Sequence, residues 1–207
     1  MALIGNPNSG KSTLFNILTG LKQKIANFPG VTVDKKTGFC KIVNSSSGKA
    51  TSFEIIDLPG TYSLYPKSPD ERIPFLTLCD PKDDCHPDIV IIIADSTNLK
   101  RSLFLASQVI DLKIPSILAL NMSDIVKQNG ININESELQE RLGMRVVPIS
   151  ARYVKGIEEL KQALVNPLLV PEQDIFVTEP LAPKVLKEIR EKLNINNNYA
   201  EIGRAHV

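Results

Sequence analysis

Apolar residues in this chain form short unbroken runs, separated by stretches where they recur every three or four positions. The runs lie at Ala2–Ile4, Gly38–Val43, Thr51–Asp57, Asp88–Asp95, Pro115–Asn121 and Val146–Ile149. Several are rich in Ile and Val without polar alternation, as in strands buried on both faces. The helical spacing occupies Lys11–Leu21, Pro69–Cys79, Lys100–Leu112, Glu135–Leu142 and Ile157–Leu164. Asn134 is placed to N-cap the fourth of these, and Gly143 to end it. The polar stretch Asn44–Gly48 predicts a hairpin between the second and third runs. Those two strands are therefore expected to be antiparallel and the others parallel. The prediction is an α/β domain with a mostly parallel six-stranded sheet and helices on both faces.

The pattern changes after Asn166. Pro167, Pro171, Glu172, Gln173 and Asp174 read as an exit linker. Beyond it, Val185, Leu186, Ile189 and Leu193 recur at helical spacing within Pro180–Leu193. One amphipathic helix does not bury its stripe alone. Residues 1–166 are thus expected to form the main domain, and 167–200 a linker and the first helix of a helical domain.

Composition adds exclusions. The 207 residues are 43% hydrophobic and 23% charged, with a formal net charge of +1. Such a balance gives no strong field toward nucleic acid or anionic lipid. The longest apolar run, Ile89–Ala94, is too short to span a bilayer, and the N-terminus shows no signal-peptide pattern. Three cysteines, Cys40, Cys79 and Cys85, suggest reduced thiols. Cys79, Cys85 and His86 are close in sequence, but no second ligand pair stands at zinc spacing.

The candidate chemistry begins at Gly5-Asn6-Pro7-Asn8-Ser9-Gly10-Lys11-Ser12, which fits GxxxxGK[ST] between a predicted strand and a predicted helix. Backbone N–H groups of such a loop point at an anion, and the helix N-terminus adds its dipole. Lys11 supplies a charge for β- and γ-phosphates, and the Ser12 hydroxyl, next to Thr13, is placed for Mg²⁺. Asp57-Leu58-Pro59-Gly60 fits DxxG at a strand end. There an acid reaches Mg²⁺ through water, and Gly60 offers its N–H to a γ-phosphate. Thr32, within Pro29-Gly30-Val31-Thr32-Val33, lies in the long connection after the first helix, where a hydroxyl completes the Mg²⁺ shell. Asn121-Met122-Ser123-Asp124 ends the fifth strand and offers a carboxylate to both N–H groups of guanine's edge. Ser150-Ala151 follows the sixth strand and is placed to lend a backbone N–H to the guanine carbonyl. Singly, Asp57 reads equally as a turn cap and Asp124 as a helix N-cap. Together the five elements, each at a strand's carboxyl end or in its loop, have the organisation of a Ras-like P-loop GTPase.

Three segments carry a closer resemblance: Asn27–Gly38, Asp57-Leu58-Pro59-Gly60-Thr61-Tyr62-Ser63-Leu64, and Ala94-Asp95-Ser96-Thr97-Asn98-Leu99. With Asn121–Asp124 they resemble the cytosolic G domain of ferrous iron transport protein B, over Ala2 to about Leu164. The resemblance implies GTP binding and hydrolysis at the cytoplasmic face of the bacterial inner membrane. It also implies a following helical domain, and a polytopic membrane domain that moves Fe²⁺ inward. Partners would then be GTP and GDP, the chain's own helical and membrane domains and further copies in an oligomer, with no nucleic acid. Family members usually start a few residues earlier. The tail 201–207 matches the translation of a common sequencing-library adapter, so a clipped chain with a non-native tail, His206 included, is expected.

Two departures shape the expected mechanism. Thr61 stands where many Ras-like enzymes carry a catalytic glutamine, so hydrolysis is expected to be slow, about 10⁻⁴–10⁻² s⁻¹ by analogy. In the family an Asn at the position of Asn8 holds K⁺ near the β- and γ-phosphates, in place of an arginine finger; without that role, Asn8 would only support the loop's turn. Asn8, Lys11, Thr32 and Gly60 are the expected catalytic set. Met122 replaces the lysine of NKxD; its thioether packs on a base but donates nothing, so weak nucleotide binding and fast GDP release are expected. A binding switch with incidental hydrolysis is one alternative. A ribosome-associated GTPase of the Era or Obg type is another, opposed by Met122 and the near-neutral charge.

Overall fold

The fourth predicted run, Asp88–Asp95, lies inside the sheet next to the central strand, with both of its faces covered. In the computed structural model, which describes residues 1–28, 32–168, 170, 171 and 175, this run is β5 (Val90–Asp95). Val90, Ile92 and Ala94 enter one core and Ile91 and Ile93 the other. Each fully buried Ile contributes about 2–3 kcal/mol of transfer free energy. That explains an apolar strand without alternation.

The other strands are β1 (Ala2–Gly5), β2 (Gln23–Asn27), β3 (Asp34–Val43), β4 (Ala50–Asp57), β6 (Ser116–Asn121) and β7 (Arg145–Pro148). The helices are α1 (Lys11–Thr19), α2 (Pro69–Cys79), α3 (Leu99–Asp111), α4 (Ser123–Gln128), α5 (Glu135–Leu142) and α6 (Ile157–Val165). Across the sheet the order is β2-β3-β4-β1-β5-β6-β7. β1 pairs in parallel with both β4 and β5, and β5–β6–β7 continue in parallel. β3 pairs antiparallel with β4, as the Asn44–Gly48 hairpin requires.

The sheet has seven strands rather than six. The added strand, β2, pairs antiparallel with β3 from Gln23↔Gly38 to Asn27↔Asp34. All five of its residues are exposed, so no burial pattern marks it. Backbone hydrogen bonds to β3 define it instead, and β3 itself begins at Asp34 rather than Gly38.

Helices cover both faces. α1 and α6 place Leu14, Phe15, Leu18, Leu160 and Leu164 in one core, and α2 and α3 place Ile73, Phe75, Leu105 and Val109 in the other. Helix ends follow local chemistry. Asn134 Oδ1 accepts from Glu137 N at 3.1 Å, and Gly143 takes φ 63° after α5. Ser68 caps α2, and Pro69 opens it. α4 is the helix that periodicity misses; its six residues are too few to show a period.

Among the described residues no helix is long and apolar enough to cross a membrane. Gly30 and Val31, the expected helix Pro180–Leu193 and the tail 201–207 lie outside the described residues.

Candidate functional site

β1 lies between β4 and β5: the chain leaves it for β2, β3 and β4 on one side, then crosses from β4 to β5 on the other. Such a switch point opens a crevice at the strands' carboxyl ends. The loop from Gly5 to Ser12 occupies it, because β1 ends at Gly5 and α1 starts at Lys11. Asn8 (φ 64°) and Gly10 (φ 91°) adopt left-handed conformations. These alternate with ordinary residues and turn successive N–H groups inward. Gly10 is required twice: its φ disfavours L side chains, and a Cβ there would overlap Asn121 Nδ2. Asn6 Oδ1 and Ser9 Oγ are buried with no protein partner among the described residues. Buried polar atoms left so favour a polar ligand or water at the loop.

The loop lines a cleft of about 560 Å³, together with Thr13 and Gly60. That volume is in the range of small-ligand sites. An adjoining cleft of about 540 Å³ is lined by Lys11, Ser12, Thr32, Asp57 and Pro59. The strand ends thus bring together three expected metal-binding residues that lie 45 positions apart at most in sequence, Ser12, Thr32 and Asp57. Lys11 Nζ donates to Asp57 Oδ1 at 2.5 Å, with the two side chains 11% and 6% exposed. Ser12 Oγ lies 3.5 Å from Asp57 Oδ2. Carboxylate and hydroxyl oxygens converging at one point suit Mg²⁺, which takes oxygen ligands. Asn8 is exposed and lines the first cleft, so its amide oxygen is open to a cation there.

The DxxG segment is tied to the same place. Leu58 N–H donates to Leu3 O at 3.1 Å and Thr61 N–H to Gly5 O at 3.2 Å. A Cβ on Gly60 would stand 3.2 Å from Pro7 N, so the two loops are nearly in contact. Thr61 is wholly buried, and its Oγ1 donates to Ser63 O at 2.6 Å.

Asn121 joins the loop to the far side. Its Nδ2 donates to Ser9 O at 2.8 Å, and its Oδ1 accepts from Ala151 N–H at 2.9 Å. The residue is 4% exposed. Its amide is therefore a tether between two loops 30 and 112 residues away. Ser150 N–H donates to Lys155 O at 3.0 Å. The expected N–H donors to a base, Ser150 and Ala151, thus already donate within the protein. Met122 takes φ 62° and caps α4, and Asp124 lies in that helix's first turn, both half-buried. The left-handed Met122 turns the chain so that α4 starts directly after the strand.

Cys79 and Cys85 lie in the core, Lys35 Nζ donates to Cys85 Sγ at 2.8 Å, and His86 Nδ1 faces Thr77 O at 3.1 Å. Among the described residues no cluster of His, Cys, Asp or Glu forms a metal site. Two residues of α3 that sequence reasoning overlooks touch the stretch just after DxxG: Arg101, stacked on Tyr62, and Gln108, bonded to Leu64. The available signal was an amide inside the apolar stripe Leu105, Ala106, Val109 and Ile110.

A mostly parallel sheet with this loop at its switch point defines the Ras-like P-loop GTPase fold. Within that class the chain belongs to the ferrous iron transport protein B family, whose model matches residues 1–164. The Fe(2+) transporter FeoB of Leptospira biflexa is 36% identical over 200 residues, 96% of this chain and 28% of the relative. That of Legionella pneumophila is 43% identical over 168 residues, 79% of this chain and 21% of the relative. The chain therefore spans about a quarter of the length of these curated relatives. The crystal structure of the cytosolic domain of the T. maritima FeoB iron transporter in a GDP form matches with a TM-score of 0.80 at 37% identity. That match covers 98% of this chain and 78% of the other.

Proposed function

We propose that the chain binds GTP and hydrolyses it slowly, as the nucleotide-responsive part of a membrane protein that takes up Fe²⁺. The observation that carries this reading is the meeting, at adjoining strand ends, of the Gly5–Ser12 loop, Asp57-Leu58-Pro59-Gly60 and Asn121–Asp124. The relatives support it: one is a T. maritima cytosolic domain solved in GMPPNP form, at 35% identity and a TM-score of 0.77.

In the proposed mechanism the β- and γ-phosphates lie in the loop, against its N–H groups, with Thr13 at the same helix start. Lys11 Nζ leaves Asp57 for the phosphate oxygens. Gly60 N–H meets the γ-phosphate. Ser12, Thr32 and Asp57 would hold Mg²⁺, and Asn8 Oδ1 would hold K⁺; bound there, these cations would supply positive charge against that developing on the phosphate oxygens. Water attacks the γ-phosphorus as the bond to the β–γ bridging oxygen breaks, giving GDP and phosphate. Asp124 accepts guanine's two N–H groups, and Met122 packs on the base. With Ser150 and Ala151 N–H groups engaged, the guanine carbonyl needs those bonds to rearrange or the next N–H, that of Arg152. Gly30 and Val31 belong to the connection that brings Thr32 to the site.

Residues 1–166 are the nucleotide-binding domain in this reading, and 167–200 begin a helical domain. The membrane part lies in sequence beyond this chain, and the nucleotide domain sits at the cytoplasmic face. The buried, self-bonded Thr61 favours a second reading, a switch whose turnover is incidental. One experiment separates them: phosphate release from GTP and from ATP, in K⁺ and in Na⁺ buffers. Turnover of GTP alone, faster in K⁺, is expected. Equal rates in the two salts refute the K⁺ role, and equal handling of ATP refutes guanine selection.

A further inference from the structure

We propose that Arg101 and Gln108 of α3 are positioning residues that set the Gly60 N–H for a γ-phosphate; this rests on the GTP reading above. Gly60 has no side chain to anchor it, so the Pro59–Gly60 peptide that carries its N–H is held on the near side by Leu58, bonded to Leu3 O, and on the far side by the residues that follow. Those residues are held at three points. Thr61 N–H is bonded to Gly5 O at 3.2 Å. The Arg101 guanidinium lies 3.6 Å from the centroid of the Tyr62 ring. Gln108 Oε1 accepts the Leu64 N–H at 2.7 Å.

The second and third of these contacts come from α3 and lie outside the two clefts' linings. Gln108 is 1% exposed, among Leu105, Ala106, Val109 and Ile110. Burying an amide in such a stripe is unfavourable unless it is hydrogen-bonded. The bond to Leu64 N–H gives it a partner and at the same time fixes the height of segment 60–64 over the sheet. Arg101 is exposed, and a guanidinium stacked on an aromatic ring is stabilising where a lysine ammonium would not fit as well. Its gain is spent on holding Tyr62, two residues from Gly60.

The consequence is selective. GDP has no γ-phosphate and makes no use of Gly60, so loosening the segment weakens only triphosphate binding. A merely structural role would weaken both nucleotides together.

The test titrates the 207-residue protein with GDP and with a non-hydrolysable GTP analogue in Mg²⁺ buffer. Gln108→Leu keeps the volume and removes the acceptor. Tyr62→Ala removes the ring, and Tyr62→Phe keeps it. Gln108→Leu is expected to weaken the analogue about tenfold, the worth of one buried hydrogen bond, and Tyr62→Ala about fivefold, the worth of one cation–π contact, while both leave GDP within about twofold. Tyr62→Phe should match the wild type. Equal weakening of both nucleotides, or of neither, overturns the proposal. Should Gln108→Leu fail to fold, Tyr62→Ala and Arg101→Ala, on partly exposed positions, decide it alone. A wild-type protein that binds neither nucleotide overturns the GTP reading and this assignment with it. Wild-type binding with unselective variants overturns this assignment alone.

Discussion

Replacing Asn121 by Ala separates its tethering role from any contact with nucleotide. Two hydrogen bonds disappear, Nδ2 to Ser9 O at 2.8 Å and Ala151 N–H to Oδ1 at 2.9 Å. Both are buried. Each bond contributes about 1 kcal/mol net, and each partner left unsatisfied costs about 1–3 kcal/mol. The two partners are Ser9 O and Ala151 N–H, so the simple sum is about 2–6 kcal/mol. Water from the neighbouring cleft will reach part of the vacated space, which lowers the expectation to about 2–4 kcal/mol. For a domain of this size that corresponds to a fall in Tm of roughly 4–16 °C. The assay is urea denaturation without nucleotide, comparing midpoints at an unchanged m value. Asn121→Asp gives a second arm. It keeps an acceptor for Ala151 N–H but sets a carboxylate against Ser9 O, so its loss should be at least as large. A loss below about 1 kcal/mol for Asn121→Ala, at unchanged m, would show that the amide does not join the two loops.

Other variants test the site from different directions. Lys11→Ala leaves Asp57 buried without its cation, a loss of about 2–3 kcal/mol because the cleft admits water. The same change should lower GDP affinity at least about 100-fold by titration; unchanged affinity would remove Lys11 from the phosphate site. Asp124→Asn places a donor where guanine's amino group needs an acceptor, and should exchange preference toward xanthine nucleotides in a competition assay; retained GTP preference would exclude Asp124 as the base reader. Gly38→Ala drives a Cβ to 2.5 Å from Thr19 Cγ2, and overpacking of this kind costs about 1–3 kcal/mol. Wild-type stability in that variant would mean that α1 and β3 pack less closely than described. Burial pushes the Cys40 thiol up from its ordinary range. A raised folded pKa means that its contribution to stability is present below the ordinary thiol range and is lost as pH rises through the folded value. Iodoacetamide should label Cys40 slowly in the native protein at pH 7.5, and rapid labelling without unfolding would contradict the burial.

Much of this protein is determined by local sequence. The apolar runs foretold β1, β5 and β6, because burial on both faces demands apolar residues at nearly every position; β4 and β7 showed through the short apolar stretches Ile55-Ile56 and Val146-Val147. The bounds of α5 followed from Asn134 and Gly143, whose capping chemistry acts within one turn, and the same local chemistry, through Ser68 and Pro69, sets the start of α2. Gly5–Ser12, Asp57–Gly60 and Asn121–Asp124 stood out because each is a short pattern of particular residue types at fixed spacing, and the fold brings the first to the strand ends where the other two lie. The tertiary structure decided the rest. β2 exists through backbone pairing with β3, and exposed edge residues carry no burial signal. Asn121 turned out to be committed to two loops, 30 and 112 positions distant, and Ala151 N–H to it. Lys11 and Asp57, 46 positions apart, form an ion pair. Gln108 reaches Leu64 across 44 positions. Contacts of that range depend on which strand lies beside which. Periodicity and capping report only on a residue's near neighbours and its exposure, whereas the strand order β2-β3-β4-β1-β5-β6-β7 sets which distant loops meet.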